Sequence, residues 1–209
     1  PYKGMERNIV HRDLIAHVLR WTYVLKIAKI GMNILDFGCG DGGLYETFYR
    51  NKFSPKLFTG LDIRKKTIEN NKLKFPNAKW YNEDLVNIKT NYGTDWDIIS
   101  CFEVAEHISK SRVPLLLNNI KNFCNKNTIV LISTPNYNEK IGAAENHIYD
   151  GGDGFGKRIQ EMTFLEFKEL IEKNFIIEEV YATFCSQKDY KDTLNLNQIE
   201  IFNQLHKYY

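Results

Sequence analysis

The feature that most constrains this chain is a short apolar run that ends in a cluster of glycines. Asn33-Ile-Leu-Asp-Phe37 leads directly into Gly38-Cys39-Gly40-Asp41-Gly42-Gly43, and residues 44–50 then have a helical pattern. A strand that becomes a helix through such a turn lets a ligand come close to the backbone, because glycine has no Cβ and accepts positive φ. The pattern Asp36-x-Gly38-x-Gly40-x-x-Gly43 fits the spacing of a dinucleotide-binding turn. Asp62 ends the next apolar run about 20 residues later, as that fingerprint also asks.

The rest of the chain continues the same alternation. Further strand-like runs lie at 57–63, 78–81, 96–102, 128–133 and 175–184, and helical patterns lie at 11–29, 64–74, 111–124, 163–173 and 194–208. Thr163 is placed to cap the helix that follows it. Alternating strands and helices predict an α/β fold: a Rossmann-like, doubly wound, mostly parallel sheet of six to seven strands with helices on both faces. Ligands in such sheets bind outside the carboxyl ends of the strands, where the strand order switches. The segment 142–156 holds Gly151-Gly152-Asp153-Gly154-Phe155-Gly156 and reads as irregular, either a surface loop or a lid over that edge. Trp21 and Tyr23 on the first helix could stack on a ligand, with burial in the core the commoner fate.

Composition removes several classes of function. The 13 Phe, 12 Tyr and 3 Trp supply core material that a disordered chain lacks. Lys+Arg number 28 against 26 Asp+Glu, a net charge of +2, so a strongly basic nucleic-acid module is not indicated. Lys65, Lys66, Lys72, Lys74 and Lys79 read as a solvated helix face. No run reaches the ~18 apolar residues of a membrane span, and the first residues have no apolar signal core. The expectation is therefore no membrane insertion and a cytoplasmic location. Cys39, Cys101, Cys124 and Cys185 are scattered with no CxxC pair, which suits reduced thiols.

The acids distinguish between ligands. Asp36 precedes the glycines, where it would oppose a pyrophosphate and suit a cationic group. Asp84 follows the third strand and Glu103 the fourth. One acid per strand end suits a ligand with an amine, a ribose and an adenine better than one with two phosphates.

With those residues in view, the chain resembles the class I S-adenosylmethionine (SAM)-dependent methyltransferases. Residues 33–43 look like that family's first motif, Gly60-Leu-Asp-Ile63 like the second, Asn82-Glu-Asp-Leu85 like the third and Asp97-Ile-Ile-Ser-Cys-Phe-Glu-Val104 like the fourth. The resemblance spans about residues 30–180. It implies that Gly38, Cys39 and Gly40 line the methionine part of the cofactor, with Asp36 near its amino group. It implies that Asp62 receives the ribose hydroxyls and Ile63 covers the adenine. Asp84 and the Leu85 amide would meet the adenine edge, and Phe102 and Glu103 would border the methyl-transfer site. A helix cap is the plainer reading of Asp62 or Asp84.

Glu103-Val-Ala-Glu106-His107 is the main clue to the acceptor. The i, i+3, i+4 spacing would put Glu103, Glu106 and His107 on one face of a helical turn. The stretch resembles two branches: quinone-biosynthesis enzymes that methylate small-molecule hydroxyls, and small-RNA 2′-O-methyltransferases that hold a metal. Ser133-Thr-Pro-Asn-Tyr137 looks like a stretch seen in both. In the second branch a later His completes the metal set, but Arg158 stands at that position here. His147 could replace it only if the glycine-rich loop is an insertion. No metal is therefore expected, with Glu103, Glu106, His107 and His147 kept as the alternative divalent-metal set. The main expectation is His107 as general base, oriented by Glu103 or Glu106. Lys110 and Arg112 are placed to meet an acidic or phosphorylated acceptor.

The fourth strand ends without the proline turn typical of amine methylation on DNA bases, and the chain has no Pro-Cys nucleophile. The expected reaction is methyl transfer from SAM to a hydroxyl oxygen of a small molecule, nucleotide or RNA, leaving S-adenosylhomocysteine (SAH). The alternatives are a SAM-binding regulatory or inactive subunit and, less favoured, an NAD-dependent oxidoreductase. The expected organisation is a single domain over 1–209. An N-terminal helix occupies 1–30, the cofactor-binding core 31–185, and a C-terminal helix 186–209, where truncation or a modified edge replaces a seventh strand.

Overall fold

The computed structural model describes residues 12–137 and 161–182, with side chains from residue 16 onward. In chain order the elements are α1 (Arg12–Ile27), β1 (Asn33–Phe37), α2 (Gly43–Arg50), β2 (Leu57–Asp62), α3 (Lys65–Lys74), β3 (Lys79–Asn82), β4 (Ile98–Phe102), α4 (Val113–Asn122), β5 (Ile129–Ser133) and α5 (Phe164–Glu172). A 3-10 turn, Ala105–His107, follows β4. The five strands form one parallel sheet in the order β3-β2-β1-β4-β5. Strand order therefore reverses between β1 and β4, which opens a crevice at their carboxyl ends.

The inner strands β1, β2 and β4 are mostly apolar and buried because helices cover both faces, whereas the edge strand β3 buries only Trp80. Leu35, Phe37, Ile99 and Cys101 turn toward one face and pack with Leu116, Leu117, Ile120 and Phe123. The Phe37 and Phe123 rings lie 6.0 Å apart. Residues one position out of phase face the other side. There Phe58 meets Tyr45 at 5.0 Å and Trp80 at 5.5 Å, and Phe75 lies 5.3 Å from Tyr45. The Trp80 indole is buried and donates to the Phe75 carbonyl at 3.1 Å. A Cβ on Gly60 would stand 2.5 Å from that indole, so the second strand needs glycine there for lack of space.

The α5 helix starts with a capping box, in which the Glu166 amide donates to Thr163 Oγ1 and the Thr163 amide to the Glu166 carboxylate. Thr163 thus caps as expected. The five lysines around α3 are solvent-exposed, and Lys74 pairs with Glu46 at 2.8 Å.

Two expectations are corrected. The segment 175–184 is not a strand over its described part, since residues 175–182 join no ladder. Ile176 and Val180 are exposed, at 93% and 58%, and β propensity reflects fit to a half-buried pleated surface that this run does not have. The described residues hold five of the expected six to seven strands, in the expected parallel, doubly wound arrangement. Trp21 and Tyr23 are half-buried, not core. Trp21 stacks on His17, and the Tyr23 hydroxyl donates to Glu179 at 3.0 Å, which gives its polar end a partner.

Contacts group Ile27–Glu178, which holds the whole sheet, apart from a unit formed by Pro1–Lys26 and Glu179–Tyr209. The glycine-rich segment 142–156, His147, Arg158, Cys185 and the helix expected at 194–208 lie outside the described residues.

Candidate functional site

Because all five strands run parallel, their carboxyl ends share one edge, and that edge gathers the residues singled out by the sequence. From β3 to β5 it carries Asp84, Asp62, the Asp36–Gly40 turn, Glu103 and Ser133.

The glycine turn is held by backbone. Gly38 and Cys39 amides both donate to the Leu61 carbonyl, at 2.8 and 3.0 Å. Gly38 has φ +77°, and a Cβ there would stand 2.3 Å from Val104 Cγ2. Both facts require glycine. The Gly40 carbonyl accepts from Asn71 Nδ2 at 2.7 Å, so a buried α3 side chain pins the turn from behind.

Asp36 is 5% exposed and accepts from the buried Ser100 hydroxyl at 2.7 Å across the β1–β4 pair. Its carboxyl is pushed up to about 7, chiefly by burial, with the Ser100 hydrogen bond pulling down and the nearby Asp62 adding to the rise. Asp62 is equally buried. Its Oδ1 accepts from the Arg64 amide (2.9 Å) and Arg64 Nε (3.1 Å), and its Oδ2 from the Gly40 amide (2.9 Å) and Arg64 Nη2 (3.3 Å). Ile63 is exposed beside it. Asp84 accepts from the Val86 amide at 3.0 Å and from Asn87 Nδ2 at 2.6 Å, so it orders the loop that leaves β3. Leu85 is buried, and its carbonyl takes a hydrogen bond from Asn119.

The other end of the edge is built differently from expectation. Glu103, Glu106 and His107 do not share a helical face. Glu103 adopts φ +55°, a left-handed conformation rare outside glycine, and the turn that follows is a single 3-10 turn. The tie to β5 explains the break: the Glu103 amide donates to the Ser133 carbonyl (3.0 Å), and the Ser133 hydroxyl donates to the Glu103 carboxylate (2.8 Å). Glu106 is 3% exposed at its side chain and accepts from the Thr134 hydroxyl at 3.1 Å. His107 Nε2 lies 3.8 Å from Glu106 Oε1, with the imidazole 37% exposed. Phe102 is half-buried beside this group. Lys110, expected to meet an acidic acceptor, pairs with Glu166 at 3.1 Å. Arg112 stands at the N-cap of α4. Burial pushes the Cys101 and Cys39 thiols far up, which fits inert core cysteines.

Among the described residues no group of three or more His, Cys, Asp or Glu is placed to hold a metal ion. No described helix is long and apolar enough to cross a membrane.

A family model described as a methyltransferase domain matches residues 9–179. The chain belongs to this methyltransferase family. Solved structures agree on the fold of this methyltransferase. YcgJ protein from Bacillus subtilis is 18% identical, with a TM-score of 0.59 over 76% of this chain and 68% of its own. A SAM-dependent methyltransferase from Clostridium acetobutylicum is 12% identical, with a TM-score of 0.58 over 82% and 83%. The N-methyltransferase NodS from Bradyrhizobium japonicum, crystallised with SAH, is 15% identical, with a TM-score of 0.52 over 63% and 66%. Among curated proteins none matches this methyltransferase in sequence.

The residues present fit SAM better than a dinucleotide. The buried carboxyl of Asp36 beside the glycine turn would repel a diphosphate, whereas its ionised form suits an ammonium. Sequence reasoning missed Ser100, Arg64, Asn71 and the left-handed Glu103. Ser100 carried a signal: it is the one hydroxyl in the apolar run Ile98–Phe102. Asn71 and the φ of Glu103 had none that single letters reveal.

Proposed function

We propose that this methyltransferase transfers a methyl group from SAM to a hydroxyl oxygen of a small-molecule, nucleotide or RNA acceptor. When bound, SAM supplies an electrophilic methyl on a sulfonium. Gly38, Cys39 and Gly40 line its methionine part, and Asp36 faces the amino group. Asp62 receives the ribose hydroxyls, Ile63 covers the adenine, and Asp84 with the Leu85 amide meets its edge. Phe102 and Glu103 border the acceptor.

A hydroxyl must lose a proton to become an effective nucleophile, so the acceptor side needs a base. The observation that carries the reading is a partly exposed imidazole backed by a buried carboxylate at the sheet's carboxyl edge. His107 Nε2 stands 3.8 Å from Glu106 Oε1, and Thr134 holds the other oxygen of that carboxylate. Glu106 orients His107 and stabilises its protonated form, while Glu103, tied to Ser133, shapes the wall. The NodS neighbour is an N-methyltransferase, so amine acceptors form the opposing arm of the test.

Transfer of labelled methyl from SAM should be measured across hydroxyl and amine acceptors, with wild type and His107→Ala. The expected result is labelling of hydroxyls, lost roughly 10²–10⁴-fold in His107→Ala, typical of a general base. Equal turnover in that variant removes His107 from the chemistry, and labelling of amines alone overturns the oxygen assignment.

A further inference from the structure

We propose that Arg64 occupies the ribose positions of Asp62 and must leave for SAM to bind, so that it sets cofactor affinity. This rests on the reading of Asp62 as the ribose acceptor. A carboxylate offers about four lone-pair positions. In Asp62 four donors fill them, two from the Arg64 side chain and two from backbone amides. The Gly40 amide belongs to the pinned glycine turn, and the Arg64 amide lies two residues from the carboxylate it serves. Neither can withdraw without unmaking the turn. The donors free to leave are Nε and Nη2 of the guanidinium, whose side chain is 57% exposed while that of Asp62 is 8%.

The count then balances. Two ribose hydroxyls need two acceptor positions, and the guanidinium holds two. The guanidinium also stands over the cradle itself, since Arg64 Nη2 lies 3.4 Å from where a Cβ on Gly40 would be. The displaced guanidinium has somewhere to go, because the neighbouring Asp41 carboxylate already acts on it electrostatically and is exposed at the mouth of the turn. A ligand that binds only the open form loses apparent affinity in proportion to the closed fraction. For a partly exposed ion pair that factor is roughly three- to tenfold. The pair also keeps the buried Asp62 carboxylate satisfied until a ligand with both hydroxyls replaces it.

Calorimetric titration with SAH tests this on wild type, Arg64→Ala and Arg64→Lys, each at low and high salt, with thermal unfolding as a check that each is folded. Arg64→Ala should bind SAH roughly three- to tenfold more tightly. Arg64→Lys keeps the charge without the two-pronged fork, so it should fall between and covers the case in which the alanine variant does not fold. Salt screens the pair, so wild-type affinity should rise with salt while that of Arg64→Ala stays flat, a response that a merely structural arginine would not give. If wild type binds SAH and the folded variants bind equally or more weakly, Arg64 is no placeholder and the inference fails alone. If no folded variant and no wild type binds SAH, the cofactor reading fails and takes this inference with it.

Discussion

The two halves of the carboxyl edge are tied down in different ways. On the β1–β2 side, main-chain groups enter every tie that holds the turn: Gly38 and Cys39 donate to Leu61, the Gly40 amide donates to the Asp62 carboxylate, the Gly40 carbonyl accepts from Asn71, and left-handed Gly38 leaves no room for a side chain. On the β4–β5 side, besides the Glu103 amide on the Ser133 carbonyl, side chains hold one another: Ser133 on Glu103, Thr134 on Glu106, Glu106 beside His107. A pocket fixed by backbone accepts one ligand geometry and tolerates few substitutions. A wall fixed by pairs of side chains can be rebuilt by point changes without disturbing the sheet. That division is what one expects of a fold that keeps one cofactor while the acceptor varies.

Substitutions in each half should act on different steps. The largest effect should come from His107→Ala, with turnover down roughly 10²–10⁴-fold and SAH affinity within about threefold of wild type. Kinetics and calorimetry on one preparation check it, and a parallel loss of SAH binding would show that the two halves are not separable. Next comes pH. Asp36 titrates at about 7 in the fold against an ordinary 3.8, so its neutral form favours folding. Its contribution is fully present below about pH 4 and is lost as pH rises to about 7, at most roughly 4 kcal/mol. Affinity for the ammonium of SAM runs the other way and should rise as pH climbs through about 7. Asp36→Asn should flatten both trends, as urea unfolding and titrations across that range can check.

Gly38→Ala forces a Cβ to 2.3 Å from Val104 Cγ2 in a left-handed backbone. It should cost about 3 kcal/mol of stability and reduce SAH binding, read by chemical denaturation and calorimetry. Asp62→Ala removes four hydrogen bonds to the carboxylate together with the proposed ribose contact. SAH affinity should fall about 30-fold, near 2 kcal/mol, while the unfolding midpoint moves little, because the loss of a buried charge offsets the lost bonds. The smallest effect belongs to a helix cap that takes no part in the ties of either half. Thr163→Ala removes the α5 cap, costing about 1 kcal/mol in denaturation and leaving SAH titrations unchanged.

What could be read in the sequence was what repeats or what needs a special residue. The apolar runs at β1, β2 and β4 mark a sheet covered on both faces, and the glycine at 38 marks a turn that no other residue fits. The acids at 36, 62, 84 and 103 could be placed on one edge because parallel strands must end together. Tertiary geometry decided the rest. Glu103 is a poor candidate for φ +55° by type, and only its double tie to Ser133 puts it there. Arg64 reads as a helix-start residue, and its grip on Asp62 depends on how the chain turns after β2. The run from 175 has the letters of a strand, but its exposed Ile176 and Val180 show no sheet face for it to join.

The most direct test of the central claim, that this edge holds SAM, is calorimetric titration of the folded protein with SAH, repeated with NADH. Micromolar binding of SAH, about −8 kcal/mol, and no heat from NADH are expected. Binding of NADH with no response to SAH would contradict that claim and leave only the parallel sheet standing.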